Sequence, residues 1–148
     1  MKVHLAADHA GFELKEKIKQ FLGGLGYEVQ DHGAFEYDEK DDYPDLIRPA
    51  AEAVAKDHES RGIILGGSGQ GEAMVANRYK GVRAAVYYDG PEEIIKLSRE
   101  HNDANVLSLG ARFVSGQTAL DMVKLWLDTE FSGEERHKRR IQKIDGGE

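Results

Sequence analysis

The chain has 148 residues, enough for one domain with a proper core, and its 40% hydrophobic and 32% charged composition is that of an ordinary globular protein. A formal charge of −7 argues against a nucleic-acid-binding surface, although positive charge gathers in Arg136-His137-Lys138-Arg139-Arg140. Without cysteine there is no disulfide, thiolate catalyst or Cys-type zinc site; no apolar run reaches membrane-spanning length and no signal-peptide pattern opens the chain, so a cytoplasmic protein with no membrane or nucleic-acid partner is expected.

Val3 to Ala7 reads as a first strand, ending at Asp8-His9. A helix from Gly11 to about Leu25 follows, with Leu14, Ile18, Phe21, Leu22 and Leu25 at helical spacing and glycines 23, 24 and 26 closing it. Tyr27-Glu28-Val29 is a short second strand, then an acidic, aromatic loop spans Phe35 to Asp45. A helix is expected from about Pro44 to Lys56. Gly62 to Leu65 is the third strand, and its helix runs from about Gly71 to Tyr79. Val82 to Val86 is strand four, Glu92 to Glu100 a helix, and Val106 to Leu109 strand five. Gln117 to Leu127 is an amphipathic helix, and the tail from about 134 to 144 a basic one.

Alternating strands and helices, with short and almost wholly apolar strands, predict an α/β fold. The expected architecture is a single-domain three-layer α/β/α sandwich around a five-stranded parallel, Rossmann-like sheet. Ligands of such sheets sit at the carboxyl ends of the strands. Asp8-His9, the glycine loop after strand three, and Arg112 shortly after strand five all follow that rule.

The most informative stretch is Gly66-Gly67-Ser68-Gly69-Gln70-Gly71-Glu72, set between a strand and a helix. Such a turn points backbone N–H groups outward at the positive end of a helix, which makes an anion site. It lacks the Lys-Ser/Thr of a phosphate-binding Walker loop, and its G-x-G-x-G spacing is a poor dinucleotide fingerprint, so nucleotide binding is disfavoured. A turn required only for tight packing is the competing reading. Glu72 on the first helical turn is a candidate general base, with the helix dipole expected to favour its ionised form. Dipole complementation on an exposed turn is the plainer explanation.

Other candidates are individually weaker. His101-Asn102 can serve simply to terminate a helix. Arg136 and Arg140, four residues apart on one face, suit bidentate phosphate binding but also fit a solvated basic helix. The histidines show no zinc-type pairing, so no metal is expected.

Taken together, Asp8-His9-Ala10-Gly11-Phe12, Asp42-Tyr43-Pro44, Gly67 to Gly71, Ala76-Asn77, Arg99-Glu100-His101-Asn102 and Arg136-His137 carry a resemblance over nearly the whole chain. The chain resembles the type B ribose-5-phosphate isomerases, a family that also holds galactose- and allose-6-phosphate isomerases. The resemblance implies aldose–ketose isomerisation through a cis-enediolate, with neither metal nor cofactor. Many members use a cysteine base at the position of Gly66, from which this chain departs; a second branch uses a glutamate that Glu72 matches. By the same resemblance the N–H groups of Gly67, Ser68, Gly69, Gln70 and Gly71 hold the enediolate oxygen, with Ser68 Oγ assisting. His101 opens the sugar ring and Asp8 shares its proton traffic. Asn102 contacts a sugar hydroxyl, Tyr43 walls the pocket, and His9, Arg136 and Arg140 grip the phosphate with help from Arg112 and His137. The tail arginines of this family reach a neighbouring subunit, which implies a homodimer or a dimer of dimers. A four-carbon or six-carbon phosphosugar is the nearest alternative substrate. A non-catalytic phosphosugar sensor is the alternative of another class, and a flavodoxin-like carrier fits the fold class alone.

Overall fold

The computed structural model of the chain describes residues 1–146. The elements in chain order are β1 (Lys2–Ala7), α1 (Phe12–Gly24), β2 (Glu28–Asp31), α2 (Tyr43–Lys56), β3 (Arg61–Gly66) and α3 (Gln70–Ala76). They continue with β4 (Ala84–Tyr87), α4 (Glu93–Glu100), β5 (Val106–Gly110), α5 (Gly116–Asp128) and α6 (Glu135–Gly146). The expected sandwich forms: five parallel strands in the order β2-β1-β3-β5-β4, with helices on both faces.

Strand alternation divides the core. Val3, Leu5 and Ala7 of β1, Ile63 and Leu65 of β3, and Leu107 and Leu109 of β5 face α1, α4 and α5, where Ile18, Leu22, Ile95 and the fully buried Trp126 meet them. Ala6, Ile64 and Val106 point the other way, onto Ile47, Ala50, Ala51 and Val54 of α2 and Ala76 of α3. The two-sided burial explains why these strands read as unbroken apolar runs.

The starts of β2 and β4 differ from the sequence expectation because other hydrogen bonds claim the residues before them. Strand β4 starts at Ala84 rather than Val82, since Val82 N–H closes a turn onto Tyr79 and Arg83 N–H donates to the Asn105 side chain at 2.8 Å. Strand β2 starts at Glu28, since Tyr27 N–H donates back to Leu22 at the end of α1.

Lys15 of α1 is fully buried and donates to both carboxylate oxygens of Asp31, at 2.8 and 2.7 Å. Asp31 in turn accepts from Gly33 N–H at 2.9 Å. This buried charge pair, desirable only with its hydrogen bonds in place, anchors the root of the loop that runs to Asp41.

Candidate active site

All five strands run the same way, so the carboxyl edge of the sheet gathers the ends of β1, β3 and β5. Asp8 and His9 follow β1, the glycine loop follows β3, and Arg112 follows β5 by two residues. Asp8 is buried and accepts from the N–H groups of Ala10 (2.9 Å) and Gly11 (3.2 Å), which turns the chain into α1.

The glycine loop is held from below. Gly69 adopts a left-handed φ of +77°, and a Cβ there would meet the β5 backbone at 2.9 Å. Ser108 Oγ donates to Gly69 O at 2.6 Å. Among the described residues the N–H groups of Gly67, Ser68 and Gly69 find no protein acceptor, whereas Ser68 Oγ accepts from Gln70 N–H at 3.2 Å. Three donors without a protein partner are what an anion cradle requires. The loop is also tightly packed, so the two readings of the glycines are compatible.

Arg112 and Tyr43 cover two of the glycines. A Cβ on Gly67 would stand 3.0 Å from an Arg112 guanidinium nitrogen, and one on Gly71 would stand 2.7 Å from the Tyr43 ring and hydroxyl. An open groove of about 440 Å³ lies beside Tyr43, between α2 and α3, and is lined by neither Asp8, His9 nor Glu72.

Glu72 turns inward. It is 4% exposed, and its carboxylate lies against the Cα of Gly66. Burial pushes its pKa up, the negative charge of Asp8 adds to the rise, and its own backbone N–H only partly offsets them. Burial thus works against the ionised form that the helix N-terminus was expected to favour, and the plainer reading of an exposed turn does not hold, since Glu72 is buried. Burial likewise raises Asp8. Both acids are therefore more basic than in water.

His9 is fixed by a residue the sequence reading did not single out. Asp41 Oδ1 lies 2.7 Å from His9 Nδ1 and accepts from His9 N–H at 3.2 Å. This bond holds the His9 pKa up. Asp8, His9 and Asp41 bring their polar atoms within 4.8 Å of one another. The only hint was an acidic run ahead of Tyr43-Pro44.

The remaining candidates are elsewhere. His101 and Asn102 follow α4 and precede β5, so they lie at the amino edge of the sheet. The six-residue β3 separates the edges by roughly 16 Å. The tail joins them there: the His137 ring stacks on His101 with centroids 4.2 Å apart, and Asp145 accepts from Arg83 at 2.8 Å just before β4. His137 is buried, and burial together with His101 holds its pKa down. Arg136 and Arg140 stand exposed on α6, Arg136 paired with Glu134 at 2.8 Å. The chain thus assembles Asp8, His9, Tyr43, the glycine loop, Glu72 and Arg112 at one edge, but holds His101, Asn102, Arg136, His137 and Arg140 at the opposite edge.

The ribose/galactose isomerase family model matches residues 3–144. The chain is 43% identical over 141 residues to ribose-5-phosphate isomerase B of Mycolicibacterium paratuberculosis, covering 95% of this chain and 87% of that protein. Among solved structures, ribose-5-phosphate isomerase B of Mycoplasma genitalium with bound ribulose 5-phosphate superposes with a TM-score of 0.94 at 38% identity, covering 99% of this chain and 95% of the other. The Thermotoga maritima ribose 5-phosphate isomerase gives a TM-score of 0.90 at 43% identity, covering 98% and 97%.

Proposed function

The chain belongs to the ribose/galactose isomerase family, and we propose that it interconverts D-ribose 5-phosphate and D-ribulose 5-phosphate with Glu72 as the base. The observation that carries this reading is the interlock of Gly66 and Glu72. Where many relatives are expected to place a cysteine base, this chain has no side chain, and the Glu72 carboxylate fills the space.

Glu72 removes the proton from C2 of the open-chain aldose, and the electron pair moves to give a cis-enediolate. The N–H groups of Gly67, Ser68 and Gly69 take the developing oxyanion, at about 3 kcal/mol of transition-state stabilisation per well-placed donor. Returning the same proton to C1 gives the ketose. Ser68 Oγ assists the hydroxyl proton's move between O1 and O2, and Asp8 shares the proton traffic of ring opening. Burial raises the Glu72 pKa, which suits this role, because a stronger base takes the C2 proton more readily.

The substrate phosphate falls to His9 and Arg112 from the same chain. Ring opening by His101 and further phosphate contacts from Arg136 and Arg140 need a second copy, since these residues lie across the sheet from Glu72. The functional unit in this reading is a homodimer, or a dimer of dimers, with sites between subunits. Strand β4 leaves one sheet edge open, and exposed Tyr88 and Phe113, 5.9 Å apart, supply apolar surface near its carboxyl end.

The relatives named for ribose 5-phosphate favour the five-carbon substrate over four- and six-carbon phosphosugars. A panel of such sugars tests this: ribose 5-phosphate should give the highest kcat/KM, and a higher value for a six-carbon aldose 6-phosphate or a tetrulose phosphate would reassign the substrate while keeping the chemistry. Binding of ribose 5-phosphate without turnover would instead favour the sensor.

A further inference from the structure

We propose that Asp41 is a positioning residue for phosphate binding, fixing the His9 ring with Nδ1–H turned to Asp41 and Nε2 presented to the substrate phosphate. The inference rests on the reading of His9 as a phosphate ligand. Its basis is a two-point contact: one Asp41 oxygen serves both the backbone N–H and the ring of His9, across 32 residues of sequence. A free histidine exchanges tautomers and rotates; a ring held at 2.7 Å by a carboxylate keeps its proton on the bonded nitrogen. The other ring nitrogen has no hydrogen-bond partner among the described residues, and as an imidazolium it is a charge-assisted donor to a phosphate dianion.

The surroundings support a functional contact over a merely structural one. The second Asp41 oxygen is buried and bonds to no protein donor among the described residues, so the carboxylate is committed to His9 at a desolvation cost. The His9 side chain keeps about a quarter of its surface exposed, and the edge of the Tyr37 ring, centroids 6.0 Å apart, closes one side of it. The charged groups facing His9 are Asp8 and Asp41, which favour the protonated ring, and Arg112, which opposes it. The balance favours the cation. Asp31 and the buried Lys15 anchor the other end of this loop, so Asp41 is delivered to His9 by a tethered segment.

The test is the pH dependence of kcat/KM for ribose 5-phosphate in Asp41→Asn, His9→Gln and the double variant. Asparagine keeps the size and an acceptor oxygen but loses the charge. The loss in Asp41→Asn should be slight at pH 6, where even an ordinary histidine is largely protonated, and grow to about tenfold at pH 8, the worth of one charge-assisted bond. In the His9→Gln background the same substitution should add no pH-dependent loss. A loss in Asp41→Asn that is equal at both pH values would overturn the proposal. If His9→Gln itself leaves KM unchanged, the assignment of His9 to the phosphate fails instead. Equal urea midpoints for wild type and Asp41→Asn at each pH separate either result from unfolding.

Discussion

A Cβ built on Gly66 would lie 1.6 Å from Oε1 of Glu72 and 2.1 Å from its carboxyl carbon. The two positions share one space. A side chain at 66 and an inward carboxylate at 72 are alternatives, which gives a physical reason for a chain of this family to place its acid after the loop and a glycine before it.

Gly66→Ala should therefore act through Glu72. The methyl group must push the carboxylate off its place, so kcat should fall about 100-fold, within the range a misplaced general base loses. Isomerase kinetics and a urea melt check it. A kcat within a few-fold of wild type in a folded Gly66→Ala variant would show that the observed Glu72 position is not the working one.

Asp8 should set the acid limb of the rate profile. Glu72 must be ionised to accept a proton, so activity falls as pH drops through its pKa. Burial and the Asp8 charge both raise that pKa. Asp8→Asn removes the charge but keeps an acceptor for the Ala10 and Gly11 N–H groups. Its kcat/KM acid limb should move to lower pH, even though overall activity falls. An unmoved limb would separate Asp8 from the titration of Glu72.

Subunit mixing tests the shared site. Glu72→Gln and His101→Ala should each be nearly inactive on ribose 5-phosphate alone. Co-expressed in equal amounts, half of the dimers are hybrids, and each hybrid has one site with both native residues. Activity should recover to about a quarter of wild type. No recovery in isolated hybrids would place His101 outside the neighbouring site.

Stability should fall in mild acid because of His4 and His32. Their rings meet through a 2.9 Å Nδ1···Nε2 bond that only one bridging proton can serve. Burial lowers both pKa values, and for His4 the neighbouring His32 adds to it. Groups lowered in the folded state bind fewer protons than in the unfolded chain, so their contribution is present above the ordinary value of 6.5 and is lost as pH falls below it. The urea midpoint should drop between pH 7.5 and pH 5.5, and His32→Gln should narrow that drop. An equally large drop in the variant would assign the acid sensitivity to other groups.

The sheet and its helices were legible because local pattern and burial agree. Gly62 to Leu65 is apolar throughout, and its strand is covered on both faces. The starts of β2 and β4 were not, because the end of α1 at Leu22 claims the Tyr27 N–H and the Asn105 side chain, 22 residues away, claims that of Arg83. Of the candidate site, the glycine loop was legible as a turn between strand and helix with free N–H groups. The burial of Glu72 was not, since it depends on the loop folding its first helical turn onto β3. Asp41 was hidden for the same reason: its partner is 32 residues away. The separation of the candidate residues onto two edges follows from topology, as a residue after a helix and before a strand must return to the amino edge, but the linear motifs carried no sign of it.

The measurement that bears most directly on the assignment is ribose 5-phosphate isomerisation by Glu72→Gln beside wild type, with binding of the sugar phosphate followed in parallel. Glutamine preserves the shape against Gly66 but cannot accept the C2 proton. Wild type should turn over with kcat/KM above about 10⁴ M⁻¹s⁻¹, and the variant should bind the sugar yet lose at least about 100-fold in kcat. A Glu72→Gln enzyme that keeps kcat within a few-fold of wild type would contradict Glu72 as the base.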